Sequence, residues 1–103
     1  MSSSLPTLVN ALCYGHDAWI VGSAANKDNL NPRDIDVFVP FSEWGPAAFL
    51  IPKDAVRNSF GGWKCMSDGY EVDVWPGELS WLLVNNKTKY AWHPRSDTRV
   101  IKQ

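Results

Sequence analysis

Residues 34–37 read Asp-Ile-Asp-Val, two carboxylates alternating with two apolar side chains. Side chains of a β-strand alternate between its faces, so Asp34 and Asp36 point one way while Ile35 and Val37 point the other. The apolar side needs a core, which makes this segment part of a sheet packed on one face. The acidic side needs compensation, because like charges sharing a face repel each other and lose hydration. Water on an exposed sheet face is the simplest remedy. A divalent cation with oxygen ligands, Mg²⁺ or Mn²⁺, is the chemically specific one.

A further acidic site lies in Val72-Asp73-Val74. If that strand lies beside the first, Asp73 joins Asp34 and Asp36, with Glu71 the competitor for its role. Upstream, Gly22-Ser23 follows the apolar run 18–21. If the chain turns there from strand into helix, the bare Gly22 backbone lets a phosphate approach and Ser23 adds a hydroxyl donor. Taken alone, glycine-serine is an ordinary strand-ending turn.

The rest of the chain supplies a setting. At 103 residues it reads as a single domain, 1–103, able to bury one two-layer core. A formal charge of −1 lacks the basic excess of a general nucleic-acid binder, so nucleic acid is not the expected partner. No long apolar run marks a membrane span, and Cys13 and Cys65 have no metal-ligand spacing. Both read as buried thiols in a reducing cytoplasm. Six tryptophans are many for this length, so some are expected in the core and others to stack on a planar ligand or face a partner.

Helical spacing of Leu5, Leu8, Val9 and Leu12 predicts a helix over 5–14, capped by Ser4 and ended by Gly15. Strands are expected at 18–21 and 34–39, with a loop at 26–33 between them. Pro46 and Pro52 forbid one long helix in 42–60, which predicts two short helical pieces. Asp68-Gly69 predicts a hairpin joining 63–66 to 70–75. A helix over 78–85 and a final hairpin of 90–93 with 98–101 complete the chain. Helices and strands mix without regular βαβ units, which indicates the α+β class.

In order and spacing, Gly22-Ser23, ten intervening residues, Asp34-Ile35-Asp36-Val37 and Val72-Asp73-Val74 resemble the signature of the DNA polymerase beta-like nucleotidyltransferase superfamily. The short chain is similar to its minimal nucleotidyltransferase group. The resemblance implies a mixed β-sheet flanked by short helices. It implies that Gly22 and Ser23 hold the phosphates of an NTP such as ATP, with Lys27, Arg33 and Lys64 the nearest basic candidates to assist. Asp34 and Asp36 would bind Mg²⁺ and through it the triphosphate. Asp73 would complete a second metal site and activate the acceptor. The implied activity is transfer of a nucleoside monophosphate from the NTP to a hydroxyl of a protein or small molecule, by two-metal in-line attack with pyrophosphate leaving.

Many relatives of that superfamily carry a further helical domain for the acceptor, and this chain has no room for one. The acceptor side must then come from residues 44–63, from the C-terminal segment, or from another subunit of a homo-oligomer. The same shortage supports a different reading: a non-catalytic protein of this fold that binds and modulates a protein partner through its tryptophans. Metal-dependent NTP binding separates the two.

Overall fold

A computed structural model describes residues 5–26, 34–84 and 89–101. Seven strands form one mixed sheet: β1 (Trp19–Val21), β2 (Asp34–Pro40), β3 (Val56–Arg57), β4 (Trp63–Ser67), β5 (Tyr70–Gly77), β6 (Tyr90–His93) and β7 (Thr98–Ile101). Their order across the sheet is β3-β4-β5-β2-β1-β6-β7. Only the central β2–β5 pair is parallel; every other neighbouring pair is antiparallel. Among the described residues three α-helices accompany the sheet, α1 (Thr7–His16), α2 (Phe41–Ala48) and α3 (Leu79–Val84). The α+β expectation holds.

Strand alternation decides what each face carries. Ile35, Val37, Val39, Val72 and Val74 point to one face and are buried with Val9, Leu12 and Cys13 of α1 and Ala47 of α2. Each such aliphatic side chain contributes about 1.5–3 kcal/mol on burial, so this layer is the main source of stability. On the opposite face Trp19, Val21, Phe38, Trp75, Leu82 and Ala91 form a second, smaller cluster. The charges of that face lie beyond this cluster, toward the start of β2.

Both anticipated hairpins form, and each turn uses a left-handed aspartate. Asp68 (φ 52°) and Gly69 (φ 86°) make a two-residue connection with Ser67 opposite Tyr70, and Asp97 (φ 52°) sits in the β6–β7 turn. Asp68 has a second use. Its Oδ2 accepts hydrogen bonds from the Thr7 amide (2.7 Å) and the Thr7 hydroxyl (2.8 Å), satisfying the start of α1 from a turn sixty-one residues away. Helix α1 starts at Thr7 with Pro6 in the cap position, two residues later than expected, and Ser4, the expected cap, lies outside the described residues.

Three local expectations need correction. Helix α1 runs past Gly15 and ends where Asp17 turns left-handed (φ 55°), because the αL stop is made by an aspartate whose amide reaches back to the Leu12 carbonyl. Helix α2 starts at Phe41 and includes Pro46 in its last turn. The proline costs one bond, to Ser42, an exposed residue whose carbonyl water can satisfy. The second helical piece does not form; in its place the chain lays down the two-residue edge strand β3 against β4. Of the loop expected at 26–33, only Asn26 falls within the described residues.

Candidate functional site

Strand β2 brings Asp34 and Asp36 to the face opposite the valine core, and β5 runs beside it in parallel. The register sets Asp34 next to Glu71 and Asp36 next to Asp73. In a parallel pair, partners in register point to the same face, so two carboxylates stand side by side across the centre of the sheet. From β4, Lys64 lies opposite Asp73, and from β1, Val21 lies opposite Asp36. Glu71 is exposed and pairs with Lys64 at 3.6 Å, so Asp73 and not Glu71 is the residue set beside Asp36.

The chain leaves β1 through Gly22, which opens a 3₁₀ turn over Gly22–Ala25. Gly22 has φ +75°, and a Cβ there would come within 3.2 Å of Asp36 Oδ2. Backbone conformation and space both ask for glycine at this point. Ser23 follows on the wall of an open cavity of about 600 Å³, which it shares with Asp34, Asp36, Asn58, Lys64 and Asp73. The sequence-predicted residues Gly22, Ser23, Asp34, Asp36 and Asp73 are therefore brought together. Lys27 and Arg33 lie outside the described residues.

Electrostatics distinguishes these carboxylates. Burial, reinforced by the charges of Asp73 and then Asp34, pushes the Asp36 carboxyl up to about 6, with Lys64 opposing in part. Asp73 is the most enclosed, at 8% exposure. One of its oxygens accepts a hydrogen bond from Asn58 Nδ2 at 3.2 Å. Asn58 is itself fully engaged: Nδ2 also donates to the Trp63 carbonyl (3.0 Å), and Oδ1 accepts from the amides of Phe60 (3.0 Å) and Gly62 (2.9 Å). That network fixes which end of the amide faces Asp73. Gly62 then passes so close to the Val74 carbonyl that no side chain fits.

The donor set is all oxygen and short of positive charge, which suits a hard divalent cation. Among the described residues, no three His, Cys, Asp or Glu side chains form a group able by itself to hold a metal ion. Strand geometry explains this. Asp36 and Asp73 are separated by one strand spacing of about 4.8 Å, whereas Asp34 is two residues along β2, roughly 6.6 Å away. A dedicated protein cage is not what Mg²⁺ requires, since it keeps waters and takes one or two carboxylates together with substrate phosphates. The Asp36–Asp73 pair fits that mode, with Asp34 at the rim.

Sequence reasoning missed two contributors: Asn58 orients Asp73, and Phe60 forms part of the cavity wall. Arg57, one of the basic residues that the sequence places between the motif elements, also lines the cavity while stacking over Trp63 (5.0 Å to the ring centroid). For Asn58 a signal existed: an asparagine accepting from the amide two residues on is an Asx turn, and Asn-Ser-Phe-Gly-Gly is suited to one. Phe60 gave no such signal.

Among the described residues no helix is long and apolar enough to cross a membrane. The chain matches no protein-family model, no curated protein and no solved structure.

Proposed function

We propose that this chain is a Mg²⁺- or Mn²⁺-dependent nucleotidyltransferase, transferring a nucleoside monophosphate from an NTP to a hydroxyl acceptor. The observation that carries the reading is the parallel β2–β5 register, which sets Asp36 beside Asp73 with bare Gly22 against Asp36. Asp36 and Asp73, with Asp34 at the rim, are the residues that would hold the cation. When bound, the cation supplies Lewis-acid stabilisation of charge on the phosphoryl oxygens.

The remaining work belongs to the chain's own groups. Three carboxylates without a cation repel a triphosphate, so binding of NTP depends on the metal. Gly22 leaves space for a phosphate next to Asp36, and Ser23 adds a hydroxyl on that wall. Lys64, opposite Asp73 on β4, places positive charge on the cavity wall, where it can offset charge at the reacting phosphoryl group. Asp73, with one oxygen held by Asn58, has a fixed carboxylate to take the proton of the attacking hydroxyl.

The test is calorimetric titration of the four NTPs with and without Mg²⁺, in the wild type and in Asp34→Ala/Asp36→Ala. Metal-dependent binding that disappears in the double variant supports the site. A folded wild type that binds no NTP would sink the enzyme reading and favour a partner-binding role for the fold.

A further inference from the structure

One strand repeat beyond the acidic pair, the same face of β2 and β5 changes character. Phe38 and Trp75 are register partners there, as Asp36 and Asp73 are one repeat earlier. Over this floor stand two further rings. Phe60 lies 4.9 Å from Trp75, and Trp81 stacks on Phe38 at 6.2 Å with only 15° between the planes. Together with Phe41 and Glu78 they enclose a groove of about 470 Å³. Ser59 and Phe60 line both this groove and the carboxylate cavity, so the two are continuous.

The groove's rings are not hidden. Phe60 is 55% and Trp81 43% exposed, a concentration of aromatic surface that the fold itself leaves uncovered. We infer that this aromatic shelf holds the base of the nucleotide whose phosphates reach the Asp36–Asp73 pair. The inference rests on the nucleotidyltransferase reading and adds the base subsite to it.

Direction along β2 selects the base over the acceptor as occupant. Because β1 is antiparallel to β2, with Val21 opposite Asp36 and Trp19 opposite Phe38, the Gly22-Ser23 turn lies at the start of β2. The order along the face is then Ser23, the carboxylates, and the aromatic groove. A nucleotide has phosphates at one end and a flat base at the other, with a sugar between. Laid along β2, its terminal phosphates meet Ser23, its α-phosphate meets Asp36 and Asp73, and its base reaches Phe60 and Trp81. An acceptor ring placed in the groove would displace the nucleoside end from the flat apolar surface that adjoins the cavity through Ser59 and Phe60. Stacking tolerates any base, since each has a π-face.

Three probe types test this: the four NTPs and inorganic tripolyphosphate by calorimetry with Mg²⁺, and the four nucleosides by ligand-observed NMR. Each is compared in the wild type, Phe60→Ala and Trp81→Ala, with circular dichroism to confirm folding. Phe60→Tyr, which keeps the ring, serves as the conservative control. The expected result is at least a five-fold loss of NTP and nucleoside affinity in both alanine variants. Tripolyphosphate binding should be unchanged, and Phe60→Tyr should resemble the wild type. Wild type that binds no nucleoside, or alanine variants that bind NTP as wild type does, would overturn the shelf. Tripolyphosphate bound as tightly as NTP would also overturn it while sparing the metal-phosphate site. Nucleoside binding lost in the variants, with no tripolyphosphate binding at all, would keep the shelf and remove the phosphoryl-transfer reading.

Discussion

Replacing Asp36 by asparagine should stabilise the metal-free protein at neutral pH. The Asp36 carboxyl, ordinarily near 3.8, is pushed up to about 6 by burial and by Asp73 and Asp34. A folded-state value raised in this way means that ionisation of Asp36 opposes folding. Its favourable contribution is fully present below about 3.8 and is lost as pH rises through about 6. At 1.36 kcal/mol per unit the full effect is about 3 kcal/mol, and solvent screening at this half-buried position reduces it to about 1–2 kcal/mol. Asparagine keeps the shape and removes the charge. In a chain of this length that gain raises Tm by roughly 5–10 °C. The assay is thermal unfolding in EDTA at pH 7.5 and pH 4.5, wild type against Asp36→Asn. The advantage should be clear at pH 7.5 and mostly gone at pH 4.5, where the wild-type carboxyl is protonated in the folded state. Adding Mg²⁺ with NTP should stabilise the wild type and leave the variant unmoved. A variant no more stable than wild type at pH 7.5, or one whose advantage persists at pH 4.5, refutes the electrostatic reasoning.

Three other substitutions probe separate links. Asn58→Ala removes the donor to Asp73 and leaves the Phe60 and Gly62 amides without their acceptor; urea unfolding should show a loss of about 1–3 kcal/mol, with metal-dependent NTP binding weakened as well. Gly22→Ala forces a side chain into a left-handed backbone 3.2 Å from Asp36 Oδ2, costing about 1–2 kcal/mol in the same assay and closing the space proposed for phosphate. Asp68→Ala strips the cap from α1. Because Thr7 hydrogen bonds hold the Asp68 carboxyl below its ordinary value, the stability it supplies is present above that value and lost as pH falls through the lowered one. The drop in Tm should therefore be largest at pH 7 and shrink as pH falls, leaving a pH-independent remainder from alanine in the left-handed backbone at φ 52°.

Legibility followed the range of the rule in use. The second strand, the Asp68-Gly69 hairpin and the terminal hairpin were readable because alternation and turn chemistry act over a few residues. So was the face shared by Asp34 and Asp36, which follows from strand periodicity alone. That Asp73 stands beside Asp36, and not two positions off beside Asp34, depends on a parallel register across a long connection, and sequence could only state it as a condition. The end of α1 was misplaced because an aspartate, not the nearby Gly15, adopts the left-handed stop. Strand β3 was hidden because two residues carry no period; its existence depends on β4 being there to pair with. Asn58 reaches Asp73 only through that edge, so its role was no more visible than the strand that delivers it.

The two faces of the sheet explain why the charged end stays open. Helices α1 and α2 close the valine face, where every added apolar contact is favourable. On the other face the apolar cover formed by the described residues extends over Trp19, Val21 and Phe38 through Leu82 of α3 and does not include the carboxylates. Carrying an apolar layer further would bury Asp36 and Asp73 more deeply, and burial is already the largest cause of the raised Asp36 equilibrium. A cover that brings its own cationic or metal-bound groups avoids that penalty. On the proposed reading a metal-bound nucleotide is such a cover, with compensating charge at one end and a flat ring at the other.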